Sequence, residues 1–303
     1  MLNRLIANIL PYIPKSIIWL VSKNYIAGTT VDDAIKVSRQ LNRENILVTL
    51  DVLGEFITSI EQAVENRDMY LNIIEVCQAK KIRGNFSVKP TSFGLLIDEN
   101  RCFALISDIV KLASDYDNFV TLDMEDSKCV DKELLLFAKL HKIYPSNVGI
   151  VFQSYLKRTI SDLEQLISSG LNLSQINIRL CKGIYNEPST IAYKDYDTIN
   201  SNYLKLLRLM LNNGIYSAIA THDKYLIMES LKMIDELNIS KKQYEFQMLF
   251  GVTPNLRTEL VKAKHKMRVY IPFGKEWFGY ATRRLKENPQ MVKHIIKALF
   301  IKQ

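Results

Sequence analysis

Eight short apolar runs alternate with helix-length segments along most of this chain, and few folds accept that rhythm. The runs are 46–51 (ILVTLD), 85–89 (NFSVK), 119–123 (FVTLD), 148–153 (VGIVFQ), 175–180 (QINIRL), 216–221 (YSAIAT), 244–248 (YEFQM) and 267–271 (MRVYI). They read as mostly apolar at successive positions, as a strand covered on both faces does. Between them apolar residues recur at spacings of three and four. In 134–143, for example, Leu134, Phe137, Ala138, Leu140 and Ile143 are expected to point inward, with Lys139 and Lys142 outward. Ahead of the first run, Thr30 followed by Asp32 and Asp33 opens a helix with its acids on the positive end. Strand then helix, eight times, is the count of a closed parallel barrel, and the stretch from Ile46 onward has about the usual length, roughly 250 residues. A doubly wound open sheet would want a Gly-rich first βα turn, and no GxGxxG occurs. The expectation is an α/β chain: a (βα)8 TIM-type barrel over 46–303, with short N-terminal helices in 1–45 packed on it.

Composition removes the competing classes. With 303 residues, 48% hydrophobic and only eight prolines and eleven glycines, the chain can bury a large core and is neither disordered nor collagen-like. It contains no run of eighteen apolar residues, so no transmembrane helix is expected. Cys77, Cys102, Cys129 and Cys181 form no CxxC pair, which fits a reducing compartment rather than a disulfide scaffold or zinc ribbon. Of the net charge of +8, residues 1–31 hold +3 and residues 286–303 another +3, leaving +2 for everything between. Basic ends on a near-neutral body argue against a nucleic-acid groove, which needs a basic stripe across the folded surface. Both ends interleave cations with bulky apolar residues, such as Ile17, Ile18, Trp19 and Leu20 in one and Ile295, Ile296, Leu299 and Phe300 in the other. Two readings of those ends stay open: contact with an anionic membrane, or packing on the barrel with the lysines outward.

Reactive groups of such a barrel sit where the strands end. Those positions hold Asp51, Lys89, Asp123, Gln153, Arg179, Lys182, His222, Gln247 and Tyr270. Any one of them taken alone reads as a loop-entry residue, but a closed barrel converges the whole set on one mouth. After the last run, Tyr280, Arg283 and Arg284 are spaced for one helix face, and paired guanidinium forks suit a carboxylate or phosphate. Metal chemistry finds no support: His141, His222, His265 and His294 never reach ligand spacing, and there is no HExxH. Ser154 lacks a nucleophile elbow, and Cys181 reads either as a nucleophile or as a small buried hydrophobe. The residues describe a cationic, tyrosine-lined mouth with few general bases. Such a site binds an anion and leaves the bond-breaking to a cofactor.

With those positions assigned, the chain resembles the flavin-dependent proline dehydrogenases in their short, monofunctional bacterial form. The segments that carry the resemblance run in family order: YIAGTTVDDAI (25–35), VTLDVLGE (48–55), SVKPTSFG (87–94), TLDMEDS (121–127), FQSYLKRT (152–159), RLCKGIYNEP (179–188), ATHD (220–223), EFQMLFGV (245–252), VYIPFG (269–274) and YATRRLKENP (280–289). The resemblance implies a distorted barrel with FAD at its mouth and oxidation of L-proline to Δ1-pyrroline-5-carboxylate, hydride passing from ring carbon C5 to the flavin. It further implies a membrane quinone as electron acceptor, a separate pyrroline-5-carboxylate dehydrogenase as downstream partner, and a cytoplasmic location peripheral to the inner membrane. Lys89, Arg283 and Arg284 are implied as a carboxylate clamp, Tyr185, Leu249, Tyr270 and Tyr280 as walls around the ring, and Asp123 as a shaping carboxylate. Glu55 is implied to close the mouth by pairing with one of the arginines. Gln153, Arg179, Lys182, Gly183, Thr221, His222, Gln247 and Glu287 match positions that hold FAD. Tyrosine at 270 favours proline over 4-hydroxyproline. The alternatives are a 4-hydroxyproline dehydrogenase of the same family, a barrel lyase with Lys89 or Lys182 as its Schiff-base amine, and a barrel that only binds an anionic ligand.

Overall fold

In the computed structural model, which describes residues 15–54 and 57–287, β1 (Leu47–Val52) pairs in parallel with β2 (Gly84–Val88) on one side and β8 (Met267–Phe273) on the other. The sheet therefore closes on itself. β3 (Val120–Leu122), β4 (Val148–Gln153), β5 (Asn177–Cys181), β6 (Tyr216–Ala220) and β7 (Tyr244–Leu249) complete the barrel in sequence order, every pairing parallel. All eight expected runs fall on these strands within two residues at either end. The intervening helices are α3 (Ile60–Ala79), α4 (Glu99–Asp115), α5 (Val130–Ile143), α6 (Thr159–Ser168), α7 (Tyr196–Asn212), α8 (Lys224–Glu236) and α9 (Pro254–Lys262), with α10 (Trp277–Glu287) after β8. Ahead of β1 stand α1 (Lys15–Ser22) and α2 (Val31–Arg43), the latter packed against β1 and β8. Thr30 opens α2 with a full capping box, its hydroxyl accepting Asp33 N–H while Asp33 accepts the Thr30 N–H.

Two sequence expectations need correction. The strands are not apolar on both faces. Val48, Leu50, Phe86, Val88, Val120, Leu122, Ile178, Leu180, Phe246 and Val269 turn outward into the main hydrophobic core beneath the helices. The residues between them turn inward and are largely polar: Thr49, Asp51, Asn85, Ser87, Asp123, Arg179, Glu245, Gln247, Arg268 and Tyr270. Their hydrogen bonds prove the direction, because several join strands that are not neighbours, such as β5 to β2 and β8 to β3, and so must cross the lumen. Strand interiors filled with bulky branched residues are the usual pattern for this fold; here the lumen is a polar layer. The second correction concerns α5. Ala138 and Ile143 are exposed, and the inner face runs through Glu133, Leu136, Phe137, Leu140 and His141. Two polar side chains on that face, Glu133 and His141, hide its phase from a reading by hydropathy.

The two ends of the described chain meet. Ile18, Ile26, Leu53, Tyr280 and Ala281 form a second, smaller buried cluster. Trp19 packs edge-on against Trp277 with ring centroids 4.7 Å apart, and the Lys15 ammonium lies 5.2 Å over the Phe278 ring. For these residues of the basic N-terminal stretch, packing is the use the structure shows; residues 1–14 and 288–303 lie outside the described residues. An aromatic pair of this kind contributes about 0.5–1.5 kcal/mol beyond its area. Trp19→Ala is therefore expected to loosen α10 locally while the barrel stays intact. The check is limited trypsinolysis: cleavage after Arg283 or Arg284 should run about tenfold faster, with the main melting transition shifted little.

Candidate active site

At the C-terminal end of the lumen the polar layer converges on Asp123, at the mouth of β3. One carboxylate oxygen accepts hydrogen bonds from Arg179 Nη1 at 2.6 Å and Ser87 Oγ at 2.6 Å. The other accepts from Tyr270 OH at 2.7 Å and lies 3.5 Å from Lys89 Nζ. Lys89 in turn donates to Asp51 at 2.6 Å and to Tyr270 OH at 3.3 Å. Burial pushes the Asp123 carboxyl up, but Lys89 and Arg179 together hold it below the ordinary carboxylate value. Burial also drives the Tyr270 phenol well above its ordinary value, aided by the Asp123 charge, so it remains a hydroxyl and a donor. The Arg179 guanidinium lies 5.2 Å from the centroid of the Tyr270 ring, an arrangement that adds cation–π attraction.

Above this layer opens a cavity of about 440 Å³, within the range of small-molecule sites, roughly 300–1,000 Å³. Of the residues singled out in the sequence, Lys89, Asp123, Gln153, Arg179, Gln247 and Tyr270 come together beneath it. Lys182, Gly183, Tyr185, Thr221, His222, Leu249 and Tyr280 line the same space. Gly183 sits at φ +108°, and a Cβ there would meet the Tyr155 ring at 2.1 Å, so only glycine lets this loop lie on the ring. His222 Nε2 accepts the Leu249 N–H at 2.8 Å, tying the ends of β6 and β7 together. Lys182 Nζ donates to Asp223 at 2.6 Å and lies 4.4 Å over the Tyr196 ring. Glu55 lies outside the described residues, as do the side chains of Arg283, Arg284 and Glu287, although the backbone places all three on α10, which carries Tyr280.

The mouth is less cationic than its strand ends imply. Among the described residues that line it, Lys89, Arg179 and Lys182 are matched by Asp51, Asp123 and Asp223, and each pair lies at 2.6 Å. Sequence reading places Asp51 at a strand end but gives it no role, and it passes over Ser87 and Asp223. The available signal for the first two was the period-two alternation inside ILVTLD and NFSVK. Asp223 also caps α8, and a capping role masks a functional one. Cys181 lines the cavity, yet burial pushes its thiol up to about 12. Burial thus disfavours the thiolate, which counts against the nucleophile reading. Ser154 Oγ donates to a backbone carbonyl, that of Ile199, at 3.4 Å, and no group of three His, Cys, Asp or Glu among the described residues is placed to hold a metal ion.

Two buried polar atoms at the cavity lack a partner among the described residues: Arg179 Nη2, a donor, and Gln153 Oε1, an acceptor. The Gln153 amide has its other head fixed, since Nε2 donates to the carbonyls of Met124 and Glu125 at 3.0 and 2.8 Å. The site therefore offers one charged donor and one neutral acceptor, on the neighbouring strands β5 and β4.

Comparison with known proteins gives the family and the fold. The family model described as proline dehydrogenase matches residues 34–296. The chain is 36% identical to proline dehydrogenase 2 of Bacillus subtilis over 90% of its own length and 88% of that protein's. It is 34% identical to the proline dehydrogenase of Deinococcus radiodurans, over 93% and 90% of the two chains. Among solved structures, the proline utilization A (PutA) protein of Bdellovibrio bacteriovorus inactivated by N-propargylglycine superposes with a TM-score of 0.82 at 24% identity. That match covers 88% of this chain and 32% of the other, and it shows the fold. This chain is a (βα)8 barrel with a polar mouth whose described cations are paired with carboxylates, and it belongs to the proline dehydrogenase family.

The shelf that carries Gln153 has an acid–base property of its own. Glu125 accepts from Thr91 N–H at 2.8 Å and Thr91 Oγ1 at 2.5 Å, and its own N–H donates to Glu133 Oε1 at 3.0 Å. Burial, with the neighbouring Glu125 charge adding to it, raises the Glu133 carboxyl to about 9. In the folded chain Glu133 thus keeps its proton over a range in which the unfolded chain has released it. A carboxyl raised in this way contributes stability below its unfolded value, near 4.5, that is lost as pH climbs toward 9. Glu133→Gln keeps an acceptor for the Glu125 N–H and removes the titration. Its stability is expected to gain on the parent by roughly 2–4 kcal/mol between pH 5 and pH 8, measured by urea unfolding at both pH values. A difference that does not change with pH would show Glu133 to be ionised in the fold.

Proposed function

We propose that this chain binds FAD at the barrel mouth, oxidises L-proline to Δ1-pyrroline-5-carboxylate, and passes the electrons to a membrane quinone. The observation that carries the cofactor is the pair of unclaimed buried atoms, Arg179 Nη2 and Gln153 Oε1, at the rim of the polar lumen. The heteroatom edge of an isoalloxazine carries both acceptors and an N–H donor, so the donor set fits. Gln153, Arg179, Lys182, Gly183, Thr221, His222, Gln247 and Glu287 are the residues that would hold it. When bound, FAD supplies the two-electron acceptor for hydride leaving C5 of the proline ring.

The chain's own residues bind and orient. Lys89, Arg283 and Arg284 form the clamp for the proline carboxylate, which fixes the ring in one pose and converts the reaction to an effectively unimolecular one. Tyr185, Leu249, Tyr270 and Tyr280 wall the ring and exclude water, and Glu55 closes the mouth against one arginine. Asp123 acts on both sides at once, holding Tyr270 toward the substrate and Arg179 toward the cofactor. The Arg179 cation stabilises negative charge that develops on reduction, as a preorganised group that needs no rearrangement. The product would go to a separate pyrroline-5-carboxylate dehydrogenase.

Geometry counts against the Schiff-base alternative. Lys89 and Lys182 are each tied to a carboxylate at 2.6 Å, whereas an imine-forming amine must be free to attack. The hydroxyl of Tyr270 already donates to Asp123, which leaves an apolar ring face for the substrate and favours proline over 4-hydroxyproline.

The visible spectrum of the purified protein should show a flavin band that bleaches on anaerobic addition of L-proline. A flavin band untouched by L-proline would keep the cofactor and remove the substrate; a protein that stays colourless after FAD is added would remove both. Arg284→Met should raise KM for L-proline tenfold to hundredfold, the worth of a hydrogen bond between charged groups, with FAD still bound. An unchanged KM would take Arg284 out of the clamp.

A further inference from the structure

Beneath the residues that line the mouth, at the N-terminal floor of the barrel, Glu245 is almost wholly buried. Its carboxylate accepts four hydrogen bonds. Arg268 donates Nε to Oε1 at 2.6 Å and Nη2 to Oε2 at 3.1 Å, a bidentate pair. Tyr216 OH donates to Oε2 at 3.1 Å, and Gln247 Nε2 donates to Oε1 at 2.7 Å. Burial pushes the Glu245 carboxyl up, but Arg268 and these donors hold it below its ordinary value, so it is a carboxylate and accepts only.

The Gln247 bond has a directional consequence. An amide has one donating head and one accepting head, a carboxylate only accepts, and a guanidinium only donates. With Nε2 committed to Glu245, Gln247 must present Oε1 upward, where it accepts Arg179 Nε–H at 2.7 Å. Asp123 and Ser87 take Nη1 at 2.6 and 3.0 Å. Two edges of a rigid planar group are thereby fixed from opposite sides of the lumen, and Nη2 alone has no partner among the described residues. Without the Glu245 charge the amide is free to turn over, which would set its donor against the donors of Arg179.

We infer that Glu245, held by Arg268, is a positioning residue for Arg179: through the Gln247 amide it sets the plane of the guanidinium and hence the direction in which Nη2 meets the cofactor. The inference rests on the FAD reading above and assigns a role to a pair of residues on the far side of the barrel from the mouth.

The test compares the parent, Arg268→Lys, and the double variant Glu245→Met with Arg268→Met, all loaded with FAD. Replacing both partners of a buried ion pair by apolar side chains of similar volume is tolerated far better than removing one, so the double variant should keep its cooperative melt. Its preference for reduced over oxidised flavin is expected to fall about tenfold, which for a two-electron couple is a potential about 30 mV more negative. Its kcat per bound flavin should fall at least tenfold with KM for L-proline within twofold, while Arg268→Lys, which keeps a cation on Glu245, stays near the parent on each measure. If the double variant does not fold, Glu245→Gln is read in the same way. A lower melting temperature with potential and kcat unchanged would reduce the pair to a structural role and overturn the inference. A parent that takes up no FAD would instead overturn the cofactor reading, so the two failures are distinct.

Discussion

The ion pair between Asp123 and Arg179 is the interaction on which the rest of this lumen depends. Both groups are held away from water, and a buried charge is tolerated only when it is paired and its remaining hydrogen-bonding capacity is met. Asp123 therefore needs Tyr270 and Ser87, Arg179 needs Gln247, and Gln247 needs Glu245, which needs Arg268. The chain of requirements runs from the mouth to the floor and touches six of the eight strands once Asp51 joins through Lys89. A barrel built in this way gives up part of its apolar interior. Its stability rests on the outer core between sheet and helices, where the outward strand residues are fully buried.

That exchange has a chemical purpose. A network in which each donor and acceptor has one assigned partner cannot reorient cheaply, so the groups left over point in fixed directions before any ligand arrives. Preorganised charge of this kind is worth more in a site screened from water than the same charge in solution, because nothing has to move as the reaction proceeds. The charge balance follows from the same logic. Three cations and three carboxylates at the described mouth pair off. For the clamp proposed above, further cationic residues come from α10, whose backbone carries Arg283 and Arg284.

Strand count, order and closure were legible in the sequence because each strand keeps its outward residues apolar, and that alone marks a short run bounded by polar turns. The strand-end residues were legible because a closed barrel collects them at one mouth. The polar lumen was not. In YEFQM and MRVYI the inward Glu, Gln, Arg and Tyr sit between apolar neighbours, and a reading that averages over the run sees a buried strand rather than two faces of opposite character. Partnerships were out of reach for a different reason. Arg179 meets Gln247 across 68 residues and Tyr270 meets Asp123 across 147, and spacing along the chain carries no information about which side chains face each other across a lumen. The phase of α5 failed because Glu133 and His141 occupy its buried face, and hydropathy assigns both to solvent.

Two buried clusters of unequal size hold the described chain together. The lumen is locked into the main core, whereas Tyr280 and the helix that carries it are held by a small cluster made with Ile18, Ile26 and Leu53. Cooperative units of few buried contacts open at lower free energy than the fold as a whole. The function proposed above would call for such a unit on the substrate side and for a still cofactor side. Trp19 and Trp277 join the first described helix to the last, and neither helix supplies a strand to the sheet. Asp123, one residue bonded to both, keeps Tyr270 and Arg179 in register within the lumen.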